Sequence, residues 1–247
     1  MDRWNGKIAV VTGAGSGNGA AITKDLLRNY IKVIGLDINL EALENLKRTI
    51  SNNFKENFFA KKCNVTDFAE VDAVFEWIFS NFDGIDILVN NAGVARDGNL
   101  CTMDPKDVQF ILNTNVMGYV HCTRKAFINM KTRKFDGHII LINSALGHRV
   151  VPLGNSMSVN IYAPSKFAIT AMTEIYREEF FSEGTKIKIT SISPGMVHTP
   201  MIGEEVKEKV KNILYPEDIA QAVIYAISTP PHVQIHEISL KPFGEPV

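Results

Sequence analysis

The chain has 247 residues, of which 45% are hydrophobic and 21% charged, and a formal net charge of −1. That length and balance suit one globular α/β domain whose sheet is covered on both faces, and the near-zero charge offers no basic field to a nucleic-acid backbone. The longest apolar runs are strand-sized, far short of the roughly 20 residues of a membrane span.

In chain order, the first predicted strand, Lys7–Thr12, runs into Thr12-Gly13-Ala14-Gly15-Ser16-Gly17-Asn18-Gly19 and then a helical pattern over Gly17–Asn29. Glycines between a strand and a helix allow a tight turn and let backbone N–H groups approach a pyrophosphate at the helix N-terminus. Gly13, Ser16, Gly17, Asn18 and Gly19 are therefore candidate dinucleotide contacts. The second strand, Lys32–Leu36, is followed by Asp37, 18 positions after Gly19. A carboxylate there can accept hydrogen bonds from the adenosine ribose hydroxyls and repels a 2′-phosphate, which points to NAD rather than NADP. The other reading of Asp37 is a cap for the next helix, Leu40–Ser51.

Strand Asn57–Cys63 precedes helix Phe68–Phe82, and strand Ile85–Asn90 ends in Asn90-Asn91-Ala92-Gly93. A long helix is expected over Lys106–Lys131. Asn115 falls inside it, where an amide has little local structural reason to be favoured. Strand His138–Ser144 ends in a serine able to hydrogen-bond a substrate oxygen. Helix Tyr162–Ser182 opens with Tyr162 and Lys166, four apart and so on one face. A phenol with an ordinary pKa near 10 is a poor base at neutral pH, and a cationic lysine beside it is expected to lower that value.

Strand Lys186–Ser193, helix Pro216–Ser228 and strand Val233–Leu240 complete the alternation. The charged segment 199–214 breaks the rhythm at the carboxyl end of a strand, where a substrate lid would sit; the alternative is a surface excursion. Strand–helix alternation throughout specifies a single doubly wound Rossmann domain over residues 1–247, with a mostly parallel seven-stranded sheet flanked by helices. Cys63 and Cys122 lie in apolar surroundings and read as core hydrophobes; with Cys101 they make no disulfide framework. The histidines share no ligand spacing, so no metal is expected. The chain enters its first strand almost at once, without a leader pattern, and the cytosol is the default address.

The pieces T-G-x-x-x-G-x-G, N-N-A-G, the helix asparagine, the serine, Y-x-x-x-K and Pro194-Gly195 together resemble the short-chain dehydrogenase/reductase family, over Lys7 to about Pro242. The resemblance implies an oxidoreductase in which Tyr162 is the general base and Lys166 tunes it while binding the nicotinamide ribose. Ser144 would orient the substrate oxygen, and Asn115 would hold a water linking Lys166 to solvent. It implies further cofactor contacts from Asn64 and Val65, from Asn91, Ala92 and Gly93 on the adenosine side, and from Pro194, Gly195, Val197 and Thr199 at the nicotinamide carboxamide. The long helices Lys106–Lys131 and Tyr162–Ser182 commonly pair subunits in this family, so a homodimer or homotetramer is expected.

The stretches Gly147–Leu153 and Ala222–Pro230 resemble the group that holds insect farnesol dehydrogenases and vertebrate dehydrogenase/reductase family member 11. That group acts on isoprenoid alcohols or ketosteroids and generally uses NADP; Asp37 departs from it. Asn64 stands where the family commonly has an aspartate, and its side-chain carbonyl is expected to accept the adenine amino hydrogen instead. The substrate expected is a small apolar alcohol or carbonyl compound against Ser144, Leu146, Val151, Leu153, Met196 and Met201. The competing readings are an NADP-dependent carbonyl reductase and a non-catalytic nucleotide sensor or scaffold; the full set Asn115, Ser144, Tyr162 and Lys166 weighs against the last.

Overall fold

A computed structural model describes residues 1–150, 159–203 and 212–244. Its seven strands are β1 (Ile8–Thr12), β2 (Lys32–Asp37), β3 (Phe58–Lys62), β4 (Ile87–Asn90), β5 (His138–Ile142), β6 (Lys188–Pro194) and β7 (Glu237–Leu240). They form one sheet in the order β3-β2-β1-β4-β5-β6-β7. Every pairing is parallel, so the expected mostly parallel sheet is parallel throughout.

The helices are α1 (Gly17–Arg28), α2 (Leu40–Thr49), α3 (Phe68–Asn81), α4 (Pro105–Leu112), α5 (Gly118–Thr132), α6 (Tyr162–Ser182) and α7 (Pro216–Ser228). Successive strand residues point to opposite faces, and the two apolar cores follow that alternation. On one face Ala9, Val11, Val33, Ile140 and Ile192 pack with α1, α2 and α7. On the other, Val10, Ile34, Leu88, Ile139 and Ile189 pack with α3, α5 and α6. Strands buried on both faces explain why the sequence runs are apolar at nearly every position.

The strand order reverses between β1 and β4, and that reversal opens a crevice at the carboxyl edge of the sheet, where such folds bind ligands. The turn after β1, Asn91 after β4, Ser144 after β5 and Gly195 after β6 all meet that edge.

The long helix expected over Lys106–Lys131 is not continuous. A π-helical turn, Asn113–Met117, separates α4 from α5, with Gly118 N–H donating to Asn113 O across five residues. The reason is tertiary. Within that turn Asn115 is fully buried and bonds the backbone of the chain leaving β4. Single π turns of this kind often mark functional sites.

Candidate active site

The glycine-rich turn is built against the strand beside it. Thr12 Oγ1 accepts from Asn91 N at 2.9 Å and Ala92 N at 3.0 Å. Asn91 Nδ2 returns two bonds, to Thr12 O at 2.9 Å and Gly13 O at 3.2 Å. This stitching brings the chains so close that a Cβ at Gly13 (φ +64°) would sit 2.9 Å from Ala92 Cα, and one at Gly19 only 2.1 Å from Gly13 O. Both glycines are therefore demanded by the backbone packing of T-G and N-N-A-G as well as by any ligand.

What this turn leaves open suits a phosphate. Ser16 is the N-cap of α1, yet its side chain makes no capping bond, and the first helical turn carries no acidic residue. The positive end of the helix dipole is thus uncompensated by the protein. Asn18 Oδ1 is buried with no partner. Thr199 reaches the same turn from beyond β6, its Cγ2 lying 3.2 Å from where a Gly17 Cβ would be. The residues present fit a dinucleotide.

Asp37 stands at the carboxyl end of β2, beside the glycine turn. Its Oδ2 accepts from Gly15 N and its Oδ1 from Asn39 N, each at 2.9 Å. Asn39, not Asp37, caps α2, through Ala42 N at 3.1 Å. Each carboxylate oxygen keeps room for a further bond. Asn64 is placed differently from expectation. Its Oδ1 already accepts from Thr66 N at 3.1 Å and Thr66 Oγ1 at 2.9 Å. The carbonyl expected to take the adenine amino hydrogen is filled by this local turn, and only the amide donors are left to offer. Val65 is buried against Gly118, just past the π turn.

Tyr162, Lys166, Ser144 and Asn115 converge at the ends of β4 and β5. The Ser144 side chain lies near enough to the Tyr162 phenol to lower its pKa, and its Oγ accepts from Leu146 N at 3.1 Å. Lys166 is buried and its Nζ donates to Ile142 O at 2.9 Å, with the Tyr162 ring centre 5.7 Å away. Asn115 accepts from Val94 N at 2.8 Å and donates to Val94 O at 3.0 Å and Ser165 Oγ at 3.1 Å. Its amide thus has a structural task the sequence did not betray.

The electrostatics differ from expectation too. Burial pushes the Tyr162 phenol up to about 12, only partly opposed by the Ser144 side chain. Burial alone pulls Lys166 down to about 7. The lysine was expected to lower the phenol's pKa, but both groups are desolvated together, and a lysine that is itself reluctant to carry charge gives the phenolate little help. By itself the site favours the neutral phenol.

Beyond β6, Gly195 N donates to Leu240 O at 2.7 Å. Val197 is bridged to Leu214, and His198 N donates to Leu214 O at 2.8 Å, so the ends of the 199–214 segment are tied together. Leu146 and Met196 are half-buried and Met201 is exposed. Val151 and Leu153, and residues 204–211 of the expected lid, lie outside the described residues.

Several participants escaped the sequence reading. Tyr119 donates its hydroxyl to Ile142 O at 2.8 Å, sharing that carbonyl with Lys166. Its spacing of four from Asn115 was the available signal. Asn143 supports the turn after Ser144 through Thr170 Oγ1 at 2.9 Å, which in turn donates to Gly147 O at 2.8 Å. His148 contacts Ser193 Oγ at 3.0 Å and Glu237 Oε1 at 2.5 Å. These pairs span distant segments, and nothing local announces them.

The family model for short chain dehydrogenases matches residues 7–210. The chain belongs to the short-chain dehydrogenase family. It is 47% identical over 246 residues to a farnesol dehydrogenase of Aedes aegypti, covering 99% of each chain. It is 37% identical to dehydrogenase/reductase SDR family member 11 of Mus musculus, covering 98% of this chain and 96% of that one. Among solved structures it is similar to the closed form of a serine dehydrogenase complexed with NADP+, at 29% identity and a TM-score of 0.81, with 94% of this chain and 93% of that chain covered. The resemblance carried by the sequence motifs is met at the level of family and of group. The chain is an oxidoreductase of this family with a nicotinamide cofactor, and no helix among the described residues is long and apolar enough to cross a membrane.

Proposed function

We propose that this protein is an NAD-dependent alcohol dehydrogenase that moves hydride between an elongated apolar alcohol and nicotinamide, a farnesol-like isoprenoid first and a hydroxysteroid second. The observation that carries the reading is the convergence of Tyr162, Ser144 and Lys166 at the crevice whose other end holds Asp37. The similarity to a protein named farnesol dehydrogenase supports the substrate class.

Gly13, Ser16, Gly17, Asn18 and Gly19 hold the pyrophosphate on the α1 N-terminus, and Asp37 takes the adenosine ribose. Asn64 and Val65 border the adenine, while Asn91, Ala92 and Gly93 form the floor beside it. Pro194, Gly195, Val197 and Thr199 hold the carboxamide. When bound, the oxidised nicotinamide accepts the hydride and brings a fixed positive charge to the site. Ser144 donates to the substrate oxygen and sets it beside the Tyr162 hydroxyl. Tyr162 would take the alcohol proton, with the cofactor's positive charge adding the help for the phenolate that the desolvated Lys166 gives only in part, while Lys166 would also bind the nicotinamide ribose. Asn115 holds the water through which Lys166 exchanges protons with solvent. In the reverse direction the neutral phenol is already the proton donor a carbonyl needs.

Leu146, Met196 and Met201 form the apolar wall, beside the base that Val197 and Leu214 close. Asp37 suits the NAD pool of the cytosol and hence oxidation as the working direction. Exposed Ile128, Phe167, Ile175 and Phe181 on α5 and α6 supply an apolar face for a homodimer or homotetramer.

Steady-state kinetics with NAD and NADP across primary alcohols of increasing length test the reading. NAD should win by roughly tenfold or more, since a hydrogen bond to a charged group contributes about 1.5–3 kcal/mol. Asp37→Ala should narrow that gap. Equal efficiency with NADP defeats the cofactor assignment, and a profile flat in chain length defeats the apolar substrate.

A further inference from the structure

We propose that Asn160 is a positioning residue that couples the segment leaving β4 to the main chain of Tyr162; the kinetic part of this inference rests on the dehydrogenase reading above. Asn160 is 7% exposed and has φ +22°, a left-handed backbone that asparagine tolerates better than most side chains. Its Oδ1 accepts from Tyr162 N at 3.1 Å. Its Nδ2 donates to Arg96 O at 2.7 Å and to Gly98 O at 3.0 Å. Arg96 and Gly98 are exposed residues, and this amide holds both of their carbonyls from the site side.

The Tyr162 peptide is held at both ends by side chains that answer to the same segment. Its N–H goes to Asn160, while its C=O accepts from Ser165 Oγ at 2.6 Å, and Ser165 accepts from Asn115, which grips both polar groups of Val94. Val94 through Gly98 therefore moves with the N-terminal turn of α6. Asn115 fixes the near end of the segment 94–98 and Asn160 the far end. A substrate lying between that segment and the Tyr162 hydroxyl meets a distance set by these two asparagines, and misplacement of a reacting group by about 1 Å can cost about 100-fold in rate.

The two halves of the amide separate by substitution. Asn160→Ala loses both and should lower kcat and raise KM for the alcohol, so that kcat/KM falls about 10- to 100-fold with cofactor Kd unchanged. Asn160→Asp keeps the acceptor for Tyr162 N but sets a carboxylate against two carbonyls. It should keep kcat near that of the wild type while KM rises. Asn160→Gly relaxes the backbone but restores no bond, and should behave kinetically as Asn160→Ala. Amide hydrogen exchange, which needs no turnover, should show faster exchange at Tyr162 and across residues 94–98 in Asn160→Ala, and across 94–98 alone in Asn160→Asp.

Wild-type kinetics restored by Asn160→Gly would reduce the residue to a backbone bend and overturn the proposal. So would a fall in melting temperature with kcat/KM unchanged, or unaltered exchange at residues 94–98. The exchange result judges the coupling whether or not an alcohol is oxidised, whereas failure of the wild type to turn over any alcohol counts against the dehydrogenase reading alone.

Discussion

At the amino ends of β4, β5 and β6 the buried polar side chains are closed into full partnerships, whereas at the carboxyl ends of the same strands several are left open. Asp86, just before β4, accepts from Ile8 N at 2.9 Å and from Arg133 Nη2 at 3.0 Å. His138 shares a 2.9 Å bond with Thr190 Oγ1, which itself donates to Ile235 O, so the imidazole Nε2 carries the proton. Burial pulls that histidine down to about 3, and it stays neutral. Lys188 donates to Pro230 O at 2.7 Å. Across the sheet, Asn90 Oδ1, Asn143 Oδ1 and Asn18 Oδ1 are buried without partners. Burial holds Tyr162 neutral and draws Lys166 toward its uncharged state. Unpaired buried polar atoms are costly, and of those among the described residues the three on Thr23, His121 and Arg177 lie within helices, while the three on asparagines lie along the carboxyl edge.

That contrast can be broken from either side. The largest expected effect is at the open end: Tyr162→Phe should lower kcat by about 10²–10⁴-fold, the contribution of a positioned proton-transfer group, with melting temperature and cofactor affinity little changed. A variant retaining a tenth of the activity would require another base. At the closed end the effect should fall on stability instead. Asp86→Ala leaves Arg133 and Ile8 N without their shared partner, and urea denaturation should show a loss of about 3 kcal/mol. Turnover per folded molecule should hold; a selective loss of turnover would mean that the two ends are not separable.

A smaller effect sharpens the comparison through pH. Lys166 has its folded pKa at about 7, below its ordinary value of 10.5, so the unfolded chain binds the proton more tightly. The cost of burying the ammonium is full below pH 7 and fades as pH rises toward 10.5. Lys166→Met removes that cost, and Ile142 O keeps its bond from Tyr119. The variant should therefore be more stable than the wild type at pH 6, and the gain should shrink as pH rises and vanish above about pH 10.5. A gain independent of pH would show that packing, not desolvated charge, is responsible.

The closed and open ends were unequally legible in the sequence. Strand–helix alternation, the glycine turn after β1 and the spacing of Tyr162 from Lys166 are local patterns, and each element follows its own period. Asp37 could be placed because it directly ends a strand. The π turn at Asn113–Met117 could not, because it depends on Val94 arriving beside Asn115 from another part of the chain. The same holds for Asn160, whose amide donates to two carbonyls more than 60 residues away. The raised pKa of Tyr162 was missed because proximity of a lysine is visible in spacing and desolvation of both groups is not. Asn64 was misjudged for a humbler reason, its carbonyl being taken by Thr66 two residues on, a turn that its own sequence permits.

The measurement that tests the central claim most directly is a single-turnover reaction: protein in excess over farnesol, saturated with NAD, followed by the near-ultraviolet absorbance of reduced nicotinamide. The wild type should form reduced cofactor in proportion to the alcohol consumed, and Tyr162→Phe, with NAD bound as tightly, should form almost none. Reduced cofactor appearing at equal rates in both proteins, or in neither while NAD binding is intact, would contradict the account.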